Sequence, residues 1–143
     1  MKHSTVLLFY ALLGGLSMNV LADSFDGGSN MLCSMHSILE CSDNYQCNQV
    51  TPESVNLVNF FEISVSNKEI KAAGLSRQGA TTPIERIEHM GSKLLMQGGD
   101  LDGDYNADGL GWSIIVDKSD GKFSMSGISG TFSLVGFGAC LVR

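Results

Sequence analysis

The 143-residue sequence is short of basic residues, of histidine and of long hydrophobic runs, and each shortage removes a class of function. Nine Lys and Arg stand against 15 Asp and Glu, without a basic cluster, for a formal net charge of −6. A surface of that sign repels phosphate backbones and anionic lipid, which argues against nucleic acid as a partner. The apolar run from Thr5 to Leu16 is too short to span a bilayer, which takes about 20 apolar residues. Of three histidines, only His36 and His89 lie beyond the first 22 residues. No serine occupies a Gly-x-Ser-x-Gly elbow, and the Gly127-Ile-Ser-Gly130 stretch lacks the lysine of a phosphate-cradling loop.

What is present begins with an export pattern. Lys2 supplies a positive start, Thr5 to Leu16 an apolar centre, and Val20-Leu21-Ala22 the short side chains that a signal peptidase reads. The expected organisation is a signal peptide over residues 1–22 and a single β domain over 23–143, placed in the periplasm or secreted. No cysteine follows the cleavage region, which disfavours a lipid anchor. Without Lys2 the exported part carries a formal charge of −7.

All four cysteines, Cys33, Cys41, Cys47 and Cys140, fall in the exported part, where an even count favours disulfides. A metal site from Cys33, His36, Cys41 and Cys47 is the weaker reading, since oxidised sulfur is no ligand. Cys33 and His36 also differ in strand parity.

Alternation of apolar and polar residues recurs along the chain. Met31–Cys41, Leu57–Ser66 and Glu69–Ala73 read as strands, with Phe61, Ile63, Ile70 and Ala72 inward. Asp23–Asn30 reads as a loose lead-in and Gly74–Thr81 as a loop. Thr82-Pro83-Ile84-Glu85 has the form of a helix start, but Gly91-Ser92 breaks the segment too soon, so two strands joined at Gly91-Ser92 are expected. Gly111–Asp117, Lys122–Ser126 and Thr131–Cys140 complete the series, with a tight turn at Asp120-Gly121. The result is an all-β antiparallel meander of about eight short strands. The expected architecture is a small up-and-down barrel or a coiled sandwich, because closure removes exposed edges. The strands are shorter than the roughly 9–11 residues of an outer-membrane strand.

Four cysteines allow three pairings. Cys41 and Cys47 flank a short loop that a local bridge can close, leaving Cys33 with Cys140. A meander that closes on itself brings the start of its first strand beside the end of its last, and the small residues of Gly136-Phe137-Gly138-Ala139 allow close backbone approach there.

Two groups of residues carry candidate chemistry. Asp100, Asp102, Asp104, Asn106 and Asp108 lie within nine residues, and Asp104-x-Asn106-x-Asp108-Gly109 matches the opening of a calcium loop. Position twelve would be Ile115 where such loops carry glutamate, so this is no EF-hand. Calcium bound more loosely and a plain solvated turn both remain open. Phe61, Trp112, Phe123, Met125 and Phe132 are candidates for the lining of a ligand pocket, since an eight-stranded barrel interior is either filled or just able to hold one small molecule.

Several short motifs carry a resemblance. Glu40-Cys41 with Cys47, Val55-Asn56-Leu57 before Phe60-Phe61, Leu95-Met96-Gln97-Gly98, Gly111-Trp112-Ser113 and Phe137-Gly138-Ala139-Cys140 resemble a group of small, uncharacterised exported proteobacterial proteins. The resemblance spans most of the exported part. It implies strands over Ile84–Met96 and an exported location, and it implies no activity. The leading expectation is a non-catalytic exported domain that binds a small molecule or a protein partner. The alternatives are a calcium-stabilised module and a small hydrolase using His36 or His89.

Overall fold

The computed structural model describes residues 24–44, 46–73, 81–100 and 109–143. The expected signal peptide, the 74–80 part of the expected loop, and Asp102, Asp104, Asn106 and Asp108 lie outside the described residues. The strands are β1 (Met31–Ser42), β2 (Cys47–Val50), β3 (Phe60–Ser64), β4 (Glu69–Ala73), β5 (Thr81–Pro83), β6 (Arg86–Met90), β7 (Lys93–Asp100), β8 (Leu110–Asp117), β9 (Lys122–Ile128) and β10 (Phe132–Val142).

They form one antiparallel sheet, curled into a half-barrel in the order β5-β4-β3-β1-β10-β9-β8-β7-β6. The short β2 is a tenth strand, paired with the second half of β1. Strands adjacent along this path are consecutive in the chain, except that β3 pairs with β1 past the intervening β2, and that the last, β10, pairs with the first, β1, over almost their full lengths. The meander thus closes first strand to last. Its hydrogen-bonded ladder is interrupted at another place, between β5 and β6. There Ile84 and Glu85 carry the chain across, the Ile84 N–H donating to Lys68 O (2.8 Å) and the Glu85 N–H to Gln97 O (2.9 Å). The Ile84 side chain is buried in the core. The helix-like start at Thr82 is therefore strand and crossing, and β6 and β7 turn at Gly91-Ser92, where Gly91 has φ +57°.

Both disulfides are formed as the closure argument requires. Cys33–Cys140 joins directly opposed residues of β1 and β10, with Cα atoms 3.9 Å apart. Cys41–Cys47 joins opposed residues of β1 and β2. Gly138 permits the close approach of this seam, because a Cβ there would collide with the Ser34 carbonyl and stand 2.5 Å from the Phe123 ring.

Three local expectations need correction. The inward alternation of Met31–Cys41 fails midway because His36 is an extra, unpaired residue: Met35 pairs with Gly138 and Ser37 with Phe137. This bulge reverses parity, so Ile38 is buried and Leu39 is exposed. The strand expected from Leu57 starts at Phe60 instead. Before it, Thr51 caps a 3-10 turn over Pro52–Val55 that ends at Asn56 in the left-handed region (φ 59°), which explains the Val55-Asn56-Leu57 motif. The lead-in, finally, is anchored: the Phe25 N–H donates to Lys118 O (3.4 Å), Arg143 N–H donates to Asn30 O (2.9 Å), and the Phe25 side chain is buried.

Candidate functional site

The concave face of the half-barrel has two unlike ends. At one end the side chains fill it. Met31, Cys33, Ile63, Leu94 and Val116 are fully buried, and Phe123 meets Phe61 edge to face with ring centroids 5.5 Å apart. Phe25 closes this end, seated so tightly on Gly121 that a Cβ there would lie 2.5 Å from the ring. The face supplied by β7, β8 and β9 follows the strict alternation Leu94-Met96, Trp112-Ile114-Val116 and Phe123, all buried.

Toward the other end the interior is not filled, and a part-open cavity of about 150 Å³ remains. Met35 of β1, Leu110, Trp112 and Ile114 of β8, and Met125 of β9 form one wall. Phe61, Ile70, Ala72 and Thr82 from β3, β4 and β5 form the facing wall, where alanine and threonine leave space. Asn56, Leu57 and Val58, held by the 3-10 turn, form the rim. No Lys, Arg, His, Asp or Glu side chain is among the lining residues.

Trp112 is the most constrained member of this wall. Its indole lies across Gly98 toward β5, so that a Cβ on Gly98 would stand 2.5 Å from Cζ2, 2.9 Å from Cε2 and 2.7 Å from the Pro83 carbonyl oxygen. The ring therefore lies over Gly98, where β7 approaches Pro83 of β5, and Gly98 is what lets it lie there. The indole Nε1–H is buried and has no hydrogen-bond partner; among the described residues it is the one buried side-chain nitrogen or oxygen in that state. Leaving such a donor unmatched costs on the order of 1–3 kcal/mol.

The charged groups sit elsewhere. Lys93 pairs with Asp117 and Arg86 with Glu88, while Lys122 pairs with Asp120 at 2.7 Å. Asp117 is held far below the ordinary carboxylate range, first by the Lys93 ammonium and then by the hydroxyl and N–H of Ser119. Hydrogen bonds from the Lys122 side chain and N–H lower Asp120 in the same way.

Of the expected pocket residues, Phe61, Trp112 and Met125 line the cavity. Phe123 supports Phe61 from behind, and Phe132 packs partly buried against the core without reaching the lining. Leu57, Val58 and Leu110 were not foreseen as lining, although the alternation over Glu69–Ala73 had already placed Ile70 and Ala72 inward. Asp100 ends β7 opposite Leu110, and its acidic companions lie outside the described residues. Among the described residues no three His, Cys, Asp or Glu gather where they could hold a metal ion. His36, in the bulge of β1, and His89, on β6, are both exposed and lie on strands far apart in the sheet order. Neither is hydrogen-bonded to a carboxylate among the described residues; His89 adds only a weak attraction to Asp26, whose carboxylate is lowered chiefly by the Gly28 N–H.

The outer face carries a second concavity, of about 380 Å³, where Gly98 and Gly111 leave backbone bare between Glu85, Arg86, Gln97 and Ile128. Scattered apolar side chains are exposed on the sheet surface, Phe60, Phe137 and Leu141 among them. Among the described residues no helix is long and apolar enough to cross a membrane. Comparison with protein-family models, with curated proteins and with solved structures found no match.

Proposed function

We propose that this chain is an exported, disulfide-stapled binding domain whose open end takes up a small, neutral, largely apolar molecule. The cavity carries the reading: about 150 Å³ of unfilled, charge-free interior beside a core that is otherwise packed. Binding sites of this kind are concave and mainly apolar, with a few polar groups that fix orientation. A charged ligand would be desolvated here without a counter-charge, which is costly. Export is supported by the N-terminal pattern Lys2 to Ala22 and by two disulfides that use every cysteine, as expected of a chain maturing in an oxidising compartment. The resemblance to exported proteobacterial proteins points the same way.

Trp112 is the sole tryptophan, so its fluorescence reports on the cavity wall without labelling. Titration with a panel of neutral aromatic and aliphatic compounds is expected to give a saturable emission change for some of them. The same compounds are expected to raise Tm, since a ligand that binds only the native state stabilises it. A panel that moves neither emission nor Tm contradicts the reading.

A further inference from the structure

We infer that the open edge of β6 pairs with the β6 of a second copy of this chain, antiparallel about a two-fold axis at Ile87. The half-barrel ends in two edge strands, β5 and β6. The first has three residues, one of them Pro83, and both its brevity and its proline guard against edge-to-edge pairing. The second runs Arg86-Ile87-Glu88-His89-Met90, with neither proline nor lysine. Its hairpin with β7 turns on the two residues Gly91-Ser92, so Met90 and Lys93 close the ladder and exchange both backbone bonds. Bonded and non-bonded pairs then alternate. Met90, Glu88 and Arg86 are thereby committed to β7, and the N–H and C=O of Ile87 and His89 point away from it. Among the described residues no other backbone group bonds to them. The open ladder is bounded on one side, because the Ile84 N–H is held by Lys68 O (2.8 Å) and the Glu85 N–H by Gln97 O (2.9 Å).

Three antiparallel self-registers set these outward groups against each other. Centred on His89, Ile87 falls opposite the partner's turn at Gly91. Centred on Glu88, two carboxylates face each other, which is destabilising. Centred on Ile87, each Arg86 lies opposite the partner's Glu88 and the two Ile87 residues meet. That register alone makes opposite charges neighbours, and it does so twice by symmetry. The side chains of Arg86 and Glu88 are 65% and 40% exposed, so they are free to make these pairs. A ladder this short buries less than a standard interface, so the association is weak and depends on concentration.

Charge reversal tests the register. Sedimentation velocity of the exported protein, loaded from about 10 µM to about 1 mM, should show a reversible shift from monomer to dimer. Arg86→Glu sets acid against acid at both charged pairs, and Glu88→Arg sets base against base. Each variant alone should associate about 10-fold or more weakly than wild type, since two attractions per dimer become repulsions. An equal mixture of the two variants should associate again, because one copy then offers two carboxylates where the other offers two cations. Both positions are on the exposed side of the strand, so circular dichroism should show each variant folded. A wild type that stays monomeric at the highest loading overturns the proposal. So does a dimer that both variants keep unchanged, which would place the contact elsewhere, as on the outer-face Phe60, Phe137 and Leu141. A mixture that associates no better than either variant alone overturns the register.

Discussion

The two ends of the half-barrel are built from the same alternation yet have opposite outcomes. At the closed end, Phe25 from the lead-in is buried against Gly121, Met31, Ile63, Leu94 and Val116 are fully buried, and the Cys33–Cys140 bridge locks the first strand to the last. Toward the open end a cavity remains, with Trp112 lying over a bare Gly98 in its wall and Ala72 and Thr82 facing it. One end uses its side chains to exclude everything. The other leaves a cavity of about 150 Å³, which the binding reading takes as its site.

Perturbing the closed end should therefore cost stability, and perturbing the open end should change binding at lower cost. The largest effect is expected from Cys33→Ser/Cys140→Ser. That bridge spans a sequence separation of 107, and the chain-entropy model gives about 5 kcal/mol for a loop of that order. The Cys41–Cys47 bridge, with a separation of 6, is worth about 2 kcal/mol on the same model, so Cys41→Ser/Cys47→Ser should unfold at clearly higher denaturant than the first variant. Next, Phe25→Ala should cost about 3 kcal/mol in denaturant melts, against about 1 kcal/mol for Leu57→Ala at the half-buried rim. Only Leu57→Ala should alter the size of ligand preferred. Gly98→Ala forces the Trp112 ring off its seat and should cost about 2 kcal/mol, with a shifted tryptophan emission and weakened probe binding.

The smallest effect is electrostatic and belongs to the closed end, where Asp117 pairs with Lys93 at the β7–β8 boundary. Its carboxylate is lowered in the folded protein, so the unfolded chain binds the proton more readily. The stability it contributes is present above the unfolded-state value of about 4 and is lost as pH falls toward the folded-state value. Asp117→Asn should thus melt slightly below wild type at pH 7, and the two curves should converge as pH falls to about 2.

Much of the closed end was legible in the sequence. Alternation identified the strands β8 to β10, the cysteine spacing with the closure argument led to both disulfides, and the small residues before Cys140 marked the seam. Phe25 was not legible, because a lone aromatic in a polar, glycine-containing lead-in has no periodicity to reveal that it is a plug. The bulge at His36 was hidden for a related reason: one added residue inverts every later parity, and nothing local announces it. The open end was half legible. Phe61, Trp112 and Met125 stood out as large inward residues, but a cavity depends on what fails to fill it. Here that is the smallness of Ala72 and Thr82 on the facing wall and the rim set by the 3-10 turn, both of which only the three-dimensional register brings together.

The central claim, that the open end receives the ligand while the closed end is scaffold, is tested most directly by intermolecular nuclear Overhauser contacts from a bound neutral aromatic compound of the titration panel. The account predicts contacts to Met125, Ile70 and the Trp112 indole, with none to Met31 or Leu94. Contacts confined to Phe60, Phe137 and Leu141 on the outer face would contradict it.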